Sequence, residues 1–268
     1  MANLPYCCCN NLSSAICLDK IIMKDVFSNN KFNITDYAWF DKHEYIFNEQ
    51  ETILKVETLG YPVVVKPAST GSSIGISFCK CKEELVHAID LAFEFDNRII
   101  VEKAVQNLRE FNQAVISYNG EKILSVIEEP AVNQMLSFKD KYIGGKMSNI
   151  KRNVNVNLPD DLVEKINNTS LAAYETFLCN GVVRIDYLYD SETKELYINE
   201  LNTNPGSLAF YLFKEKGISF DKMLDMLIDN AFFTHNKQNK TTYESNVLKN
   251  FNSNMQSEKL KGTKMNLT

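Results

Sequence analysis

The stretches Val183–Asp186 (VRID) and Asn199–Gly206 (NELNTNPG) decide the fold, and each one follows a run of β-forming residues. Side chains two positions apart in a strand share a face. If the two strands are neighbours in a sheet, one wall carries four polar side chains: Arg184, Asp186, Glu200 and Asn202. The sequence therefore predicts two carboxylates, one amide oxygen and one guanidinium on the same wall.

Such a wall has the chemistry of a magnesium site for phosphoryl transfer. Carboxylate and amide oxygens are preferred ligands of Mg²⁺, and a fixed cation beside them suits a transferring phosphoryl group. Either stretch alone is more typical of an ion-pair ladder on a surface strand. Because both stretches occur, and an Asn-x-x-Pro-Gly turn closes the second, we favour the magnesium site.

The composition indicates a globular protein without a membrane or nucleic-acid partner. The 268 residues (30.7 kDa) suffice for one large domain or two modest ones, and 44% of them are hydrophobic. No apolar run approaches the roughly 18 residues of a membrane span, and the N-terminus does not resemble a signal peptide. We therefore expect a cytoplasmic protein. The net charge of -5 argues against nucleic-acid binding.

Cysteine and histidine give little support to other kinds of chemistry. The seven cysteines are odd in number and form no Cys-x-x-Cys pair, so we expect reduced thiols rather than disulfides or a zinc site. The three histidines lie in unrelated polar contexts, which argues against a Ser-His-Asp or Cys-His hydrolase.

Apolar periodicity predicts alternating helices and strands. The predicted helices cover residues 13–28, 49–59, 82–95, 162–178 and 219–233. The predicted strands, besides the two above, lie at 63–66, 76–79, 99–101 and within 110–129. A polar loop is expected at 139–150. Residues 235–268 carry six lysines against two glutamates, so we expect a polar, basic tail.

A hydroxyl-rich loop, Lys66–Gly75, lies between two predicted strands. Its backbone N–H groups and hydroxyls can lie along phosphates, with Lys66 supplying charge. It is not a Walker loop, because no Gly-Lys-Ser/Thr opens a helix. A simple polar hairpin explains this string equally well. Glu102 follows a buried strand and could read an adenine edge with Glu110 on the ribose, although such a glutamate is more often a solvated strand end.

Taken together, the motifs resemble those of the ATP-grasp superfamily and, within it, of D-alanine–D-alanine ligases. The matching segments run in order along the chain: Leu4–Tyr6, Ser14–Lys20, Val65–Gly75, Glu102–Lys103, Lys141–Tyr142, Arg184–Asp186 and Glu200–Gly206. The resemblance implies an α+β ATP-grasp fold whose two subdomains, 16–101 and 102–234, close on the nucleotide. It also implies ATP and two Mg²⁺ ions, with Mn²⁺ as a substitute. The implied reaction makes an acyl phosphate from a carboxylate, which an amine such as that of D-alanine attacks to give a dipeptide for peptidoglycan.

The resemblance also assigns roles position by position. The implied nucleotide-binding residues are Lys20, Lys66, Ser73, Glu102, Lys103, Val105, Glu110 and Lys141. The implied metal ligands are Asp186, Glu200 and Asn202, with Glu200 bridging the two ions. Arg184 would steady the acyl phosphate, and Ser72 and Tyr142 would form a polar clamp over the substrates. Backbone N–H groups of Gly206, Ser207 and Leu208 would meet a substrate carboxylate.

The sequence departs from the family pattern at two places. The family has an N-terminal domain before Leu-Pro-Tyr, so we expect residues 1–15 to be the linker from a domain that this chain lacks, with that domain or a homodimer as partner. After Pro-Gly the family has a Ser-His-Ser-like segment, whereas this chain has Ser207–Phe213 (SLAFYLF). Two alternatives therefore stay open: an ATP-grasp ligase for other amino acids, and a nucleotide-binding module without ligase turnover.

Overall fold

The computed structural model of the protein describes residues 4–130 and 153–238. Within these ranges the strands form two antiparallel sheets, one of four strands and one of five. In spatial order the first sheet consists of β1 (Tyr37–Asp41), β4 (Arg98–Lys103), β2 (Val63–Pro67) and β3 (Ser77–Cys79). The second consists of β7 (Asn153–Val154), β6 (Glu121–Glu129), β5 (Leu108–Tyr118), β8 (Val182–Asp190) and β9 (Leu196–Asn202).

Helices cover one face of the first sheet. These helices are α3 (Lys42–Phe47), α4 (Glu49–Glu57) and α5 (Lys82–Ala92). Alternate strand residues, among them Val65 and Val101, enter the core beneath them. The intervening residues Lys66 and Glu102 therefore lie on the opposite face.

The second sheet is covered on both faces. Three helices pack on one face: α1 (Asn11–Leu18), α2 (Lys20–Asn29) and α6 (Asp160–Thr176). Two pack on the other: α7 (Phe210–Lys214) and α8 (Phe220–Gln238). Because α1 and α2 lie next to β9, the chain from α2 into the first sheet runs along the edge that carries the predicted site.

The predicted helix 13–28 is wrong in one respect, because the structure has two helices there. Asp19 is extended (φ -91°, ψ 109°), and its Oδ1 accepts hydrogen bonds from the backbone N–H groups of Ile21 and Ile22 at 3.0 and 3.1 Å. An aspartate that satisfies these N–H groups starts a new helix. The break places Lys20 in the first turn of α2.

The other predicted elements are found with shifted ends. Helix α8 runs to Gln238, into the predicted tail, and the predicted loop 139–150 lies outside the described residues. The division into subdomains 16–101 and 102–234 stays a prediction. No helix in the described part of the chain is long and apolar enough to cross a membrane.

Candidate active site

The wall predicted from the sequence is present on β8 and β9. The strands are neighbours, with Arg184 opposite Asn202 and Asp186 opposite Glu200. The Arg184 guanidinium donates from Nε and Nη2 to the two oxygens of Asp186 at 2.6 and 2.7 Å. Nδ2 of Asn202 lies 3.0 Å from Asp186 Oδ2 and 3.4 Å from Glu200 Oε1. One continuous polar surface results.

A β-bulge in β9 turns this surface toward the first sheet. Asp186 is opposite Glu200, yet the next residue of β8 is opposite Ile198, so Asn199 is the extra residue. Strict alternation would put Glu200 on the face of Ile198, which is in the core. The extra residue reverses the alternation and leaves Asn199 and Glu200 both outside the core. Asn199 Oδ1 lies 3.5 Å from Nζ of Lys66 in the first sheet.

The polar row continues across two further strands. The sequence did not reveal this continuation. Asn112 on β5 is opposite Asp186 on one side and Glu128 of β6 on the other. With its amide oriented to satisfy its neighbours, Asn112 donates to Asp186 Oδ1 at 3.2 Å. The hydroxyl of Tyr211, from α7, donates to Glu128 Oε2 at 2.9 Å. Four adjacent strands thus contribute to one row.

Lysines of the first sheet and of α2 face this wall. The backbone N–H of Lys20 donates to the carbonyl of Ala68 at 2.9 Å, and its ammonium donates to the carbonyl of Thr70. Burial lowers the pKa of Lys20, and the charge of Glu200 opposes that effect. Lys66 forms an ion pair with Glu102 at 3.0 Å. Positive charge is therefore concentrated opposite the carboxylates.

Glu102 is held by two lysines. Its Oε1 binds Lys66, and its Oε2 binds Lys24 at 3.1 Å and accepts from the Thr35 hydroxyl at 3.1 Å. Burial alone would raise the pKa of Glu102, but the charges of Lys24 and Lys66 outweigh it and lower the pKa to about 2. Both carboxylate oxygens are thus engaged by the protein, and the predicted adenine contact of Glu102 stays a prediction. Sequence reasoning missed Lys24 and Thr35.

The donor set fits a Mg²⁺ ion that is shared with phosphates. Asp186 and Glu200 supply two carboxylates, and in residues 4–130 and 153–238 no cluster of three or more His, Cys, Asp or Glu forms a cage made by protein alone. Mg²⁺ is usually held by one or two carboxylates together with substrate phosphates. Burial and the nearby charge of Asp186 raise the pKa of Glu200, a repulsion that a cation would relieve. The Asn202 amide must turn for its Oδ1 to join the ligands.

Arg184 keeps its charge in this setting. Burial disfavours the guanidinium, but the adjacent Asp186 carboxylate and its hydrogen bonds raise the pKa of Arg184 well above its ordinary value. A guanidinium has five N–H donors, and two of them bind Asp186. The remaining donors are available to an anion at the wall.

The hydroxyl-rich loop joins the antiparallel strands β2 and β3 as a hairpin. Ser72 and Ser73 adopt left-handed backbone conformations (φ 55° and 60°), and the Thr70 hydroxyl donates to the carbonyl of Ile74 at 3.1 Å. Gly75 also has a positive φ of 71°, and a Cβ there would lie 2.7 Å from the side chain of Pro67. The loop conformation therefore depends on that glycine.

The remaining predicted residues are placed less favourably. The Lys103 ammonium, on the face of β4 opposite Glu102, donates to the carbonyls of Gly60 and Tyr61 at 2.8 and 3.2 Å and is not brought to the wall. Val105 is half-buried between β4 and β5, and Glu110 lies two positions before Asn112 on the face of the polar row. Lys141 and Tyr142 lie outside the described residues.

The turn after β9 bears on the predicted substrate contacts. Gly206–Ala209 forms a short 3₁₀ turn in which Ser207 and Leu208 both have left-handed φ values of 52°. The N–H of Leu208 donates to the Pro205 carbonyl at 2.9 Å. That N–H is therefore engaged within the turn, and the predicted contacts of Gly206, Ser207 and Leu208 with a substrate carboxylate stay predictions.

Similarity to known proteins agrees with this geometry. Residues 26–229 match the family model described as the D-ala D-ala ligase C-terminus. The D-alanine–D-alanine ligase of Acetivibrio thermocellus is 35% identical over 243 residues, which cover 88% of this chain and 63% of the relative. D-alanine–D-alanine ligase B of Clostridium tetani is 36% identical over 224 residues, which cover 82% and 62%. The chain therefore spans less than two thirds of the length of these relatives.

Solved structures show the same fold. The D-alanine–D-alanine ligase of Bacillus anthracis superposes with a TM-score of 0.71 at 28% identity, covering 87% of this chain and 73% of that one. The VanG D-Ala:D-Ser ligase of Enterococcus faecalis also gives a TM-score of 0.71, at 30% identity, with 83% and 64% covered. The α+β ATP-grasp fold predicted from the motifs is confirmed. This chain belongs to the D-alanine–D-alanine ligase family, whose C-terminal part it matches over residues 26–229.

Proposed function

We propose that the protein is an ATP- and Mg²⁺-dependent carboxylate–amine ligase that joins two D-alanine molecules into the dipeptide used for peptidoglycan. The observation that carries the proposal is the polar wall, Arg184 with Asp186 beside Glu200, facing the ammonium groups of Lys20 and Lys66. A pair of carboxylates opposite two lysines suits a metal–triphosphate complex, because the carboxylates attract the metal cation and the ammonium groups attract the phosphates.

Each part of the site has a role in this reaction. Lys20, Lys66 and the loop with Ser72 and Ser73 hold phosphates, and Glu110 meets the ribose. Asp186, Glu200 and Asn202 hold two Mg²⁺ ions, which Mn²⁺ replaces. When bound, the metal neutralises phosphate charge and aligns the reacting oxygens. The subdomains 16–101 and 102–234 close over the nucleotide, and Lys141 and Tyr142 complete the cover with Ser72.

The chemistry has two steps. A carboxylate oxygen of the first amino acid attacks the γ-phosphorus of ATP, the bond to the β–γ bridging oxygen breaks, and ADP leaves. The amine of the second amino acid then attacks the acyl carbon, phosphate leaves, and the nitrogen loses a proton to give the amide. Arg184 lies where negative charge grows in both steps, and a donor at such a position contributes on the order of 3 kcal/mol.

A second candidate joins D-alanine to a different partner. The D-Ala:D-Ser ligase of Enterococcus faecalis superposes on this chain with the same TM-score, 0.71, as the D-alanine–D-alanine ligase of Bacillus anthracis. The segment Ser207–Phe213 also differs from the family pattern at the position expected to bind the second substrate. We further expect the part of the relatives that this chain does not cover to contribute to the amino-acid sites. Supplied in trans, it should raise D-alanine-dependent ADP release.

Three measurements on the full chain test the proposal. Mg-ATP at ten times its Kd should stabilise the protein by about 1.4 kcal/mol, seen as a higher melting temperature. ADP release should depend on D-alanine, and hydroxylamine in place of the second amino acid should give an acyl hydroxamate. D-serine and L-alanine serve as comparison substrates. If millimolar nucleotide leaves the melting temperature unchanged and no amino acid stimulates ADP release, the proposal fails.

A further inference from the structure

Beneath the lysine side of the site lies a buried network of four side chains. The ammonium of Lys24 donates to the Thr35 hydroxyl at 2.8 Å and binds Glu102 Oε2 at 3.1 Å. Thr35 donates to the same oxygen at 3.1 Å, and Lys66 binds the other oxygen, Oε1, at 3.0 Å. The network joins α2, the segment before β1, β4 and β2.

Burial separates the two lysines of this network. The Lys24 side chain is only 1% exposed, whereas that of Lys66 is 12% exposed and also approaches Asn199 on the wall. Lys24 therefore has no access to a nucleotide in the cleft, and Lys66 has. Any effect of Lys24 on phosphate binding must therefore act through Glu102, which Lys24 contacts directly.

The charges of the network do not cancel. Lys24 and Lys66 carry two positive charges against the single negative charge of Glu102, so one positive charge is left at the cleft. A buried ion pair adds little stability compared with apolar residues of the same size, because removing both charges from water is costly. The fold alone therefore gives weak reason for a lysine at position 24.

We infer that Lys24 and Thr35 are positioning residues, which hold Glu102 so that Lys66 presents its remaining N–H groups to the nucleotide phosphates. An ammonium has three donors, and the 3.0 Å bond to Glu102 uses one of them. With Oε2 occupied by Lys24 and Thr35, the carboxylate meets Lys66 through one oxygen. Without them, Oε2 turns to Lys66 as well and draws the ammonium away from the phosphates. The inference rests on the proposed function.

The test replaces Thr35, because a small change there is compatible with folding. Thr35→Val removes the hydroxyl that donates to Glu102, and it should raise the KM for ATP by about tenfold, the usual effect of a hydrogen bond to a charged group. The KM for the amino acid and kcat should stay within about twofold. Thr35→Ser keeps the hydroxyl and should restore the wild-type KM. Lys24→Met should raise the KM for ATP further.

A matched control separates positioning from stability. Thr52 is also buried, and its hydroxyl donates at 2.9 Å to the carbonyl of Asn48, the residue before α4, away from the cleft. Thr52→Val should lower the melting temperature as Thr35→Val does, with an unchanged KM for ATP. Wild-type affinity for Mg-ADP in Thr35→Val, measured by calorimetry, would overturn the positioning role alone. Absence of nucleotide binding by the wild-type protein would overturn the proposed function, and this inference with it.

Discussion

The Arg184 guanidinium grips the carboxylate of Asp186, two positions further along β8, with bonds of 2.6 and 2.7 Å to its two oxygens. This bidentate contact fixes the plane of the guanidinium. The same carboxylate is a proposed metal ligand. Asp186 therefore orients the Arg184 guanidinium and, in the proposed function, also helps to hold Mg²⁺. Each of the two groups depends on the other for its position.

The first prediction concerns the bidentate contact between Arg184 and Asp186. Arg184→Lys cannot bind both oxygens of Asp186 and also reach a reacting phosphoryl group, so kcat should fall by about 100-fold or more. The KM for ATP should change little. Arg109→Lys is the control, because Arg109 makes a similar bidentate contact with Glu129, at 2.7 and 2.9 Å, away from the wall. Equal kcat values for the two variants would show that Arg184 has no role in the reaction.

The second prediction concerns the metal ligands. Glu200→Gln should lower turnover by at least about 100-fold, since metal charge stabilisation is worth several kcal/mol. The melting temperature without metal should stay the same or rise, because the substitution removes repulsion between Glu200 and Asp186. The increase in melting temperature on adding Mg-ATP should be lost. Glu192→Gln, in the exposed turn between β8 and β9, is the control and should behave as wild type.

The third prediction concerns the hydroxyl-rich loop. Gly75→Ala puts a Cβ 2.7 Å from Pro67 and 2.8 Å from Phe95 at a positive φ, so it should cost about 1–3 kcal/mol of unfolding free energy. The displaced loop should also raise the KM for ATP. Gly71→Ala meets nothing within 4 Å and should leave the unfolding free energy unchanged. Urea unfolding and ATP titrations measure both effects, and identical behaviour of the two variants would contradict the prediction.

The fourth prediction concerns pH. The pKa of Glu102 is about 2 in the folded protein, against an ordinary value of 4.5. Its charged form therefore stabilises the fold fully above pH 4.5, and this contribution is lost as the pH falls toward about 2. The difference in unfolding free energy between wild type and Glu102→Gln should be largest near pH 6 and shrink toward pH 3. The exposed Glu175→Gln should show a small difference throughout.

The sequence was sufficient for what short-range periodicity determines. Arg184 and Asp186 share a face because they are two apart, and β9 follows β8 closely enough to pair with it. The hairpin after Lys66 is similarly local. The wall was therefore predictable from spacing alone, whereas the ATP-grasp fold was implied by the resemblance of the motifs to a family. The ligand roles of the wall residues stay predictions.

What the sequence did not yield depends on irregularities and on distant pairing. The bulge at Asn199 is signalled only by the spacing of the core residues Leu196, Ile198 and Leu201, which changes from two to three. Asp19 lies inside the segment 13–28 that was predicted as one helix, although aspartate is a common N-cap residue.

Nothing in the local sequence marks Lys24 as buried, since lysine is almost never fully buried without a partner. That partner, Glu102, lies far along the chain on another element. The row from Asp186 through Asn112 to Glu128 likewise requires the register of three strands. No local pattern in the sequence contains this information.

The break at Asp19 has a mechanical consequence. The start of α2 is tied to the hydroxyl-rich loop by the bonds of Lys20 to Ala68 and Thr70. One turn later, about 6 Å along the helix axis, Lys24 is tied to Glu102. The first turn of α2 is therefore a rigid connection between the hydroxyl-rich loop and Glu102, the carboxylate that holds Lys66. Both the loop and the carboxylate that holds Lys66 are therefore fixed to one short rigid element.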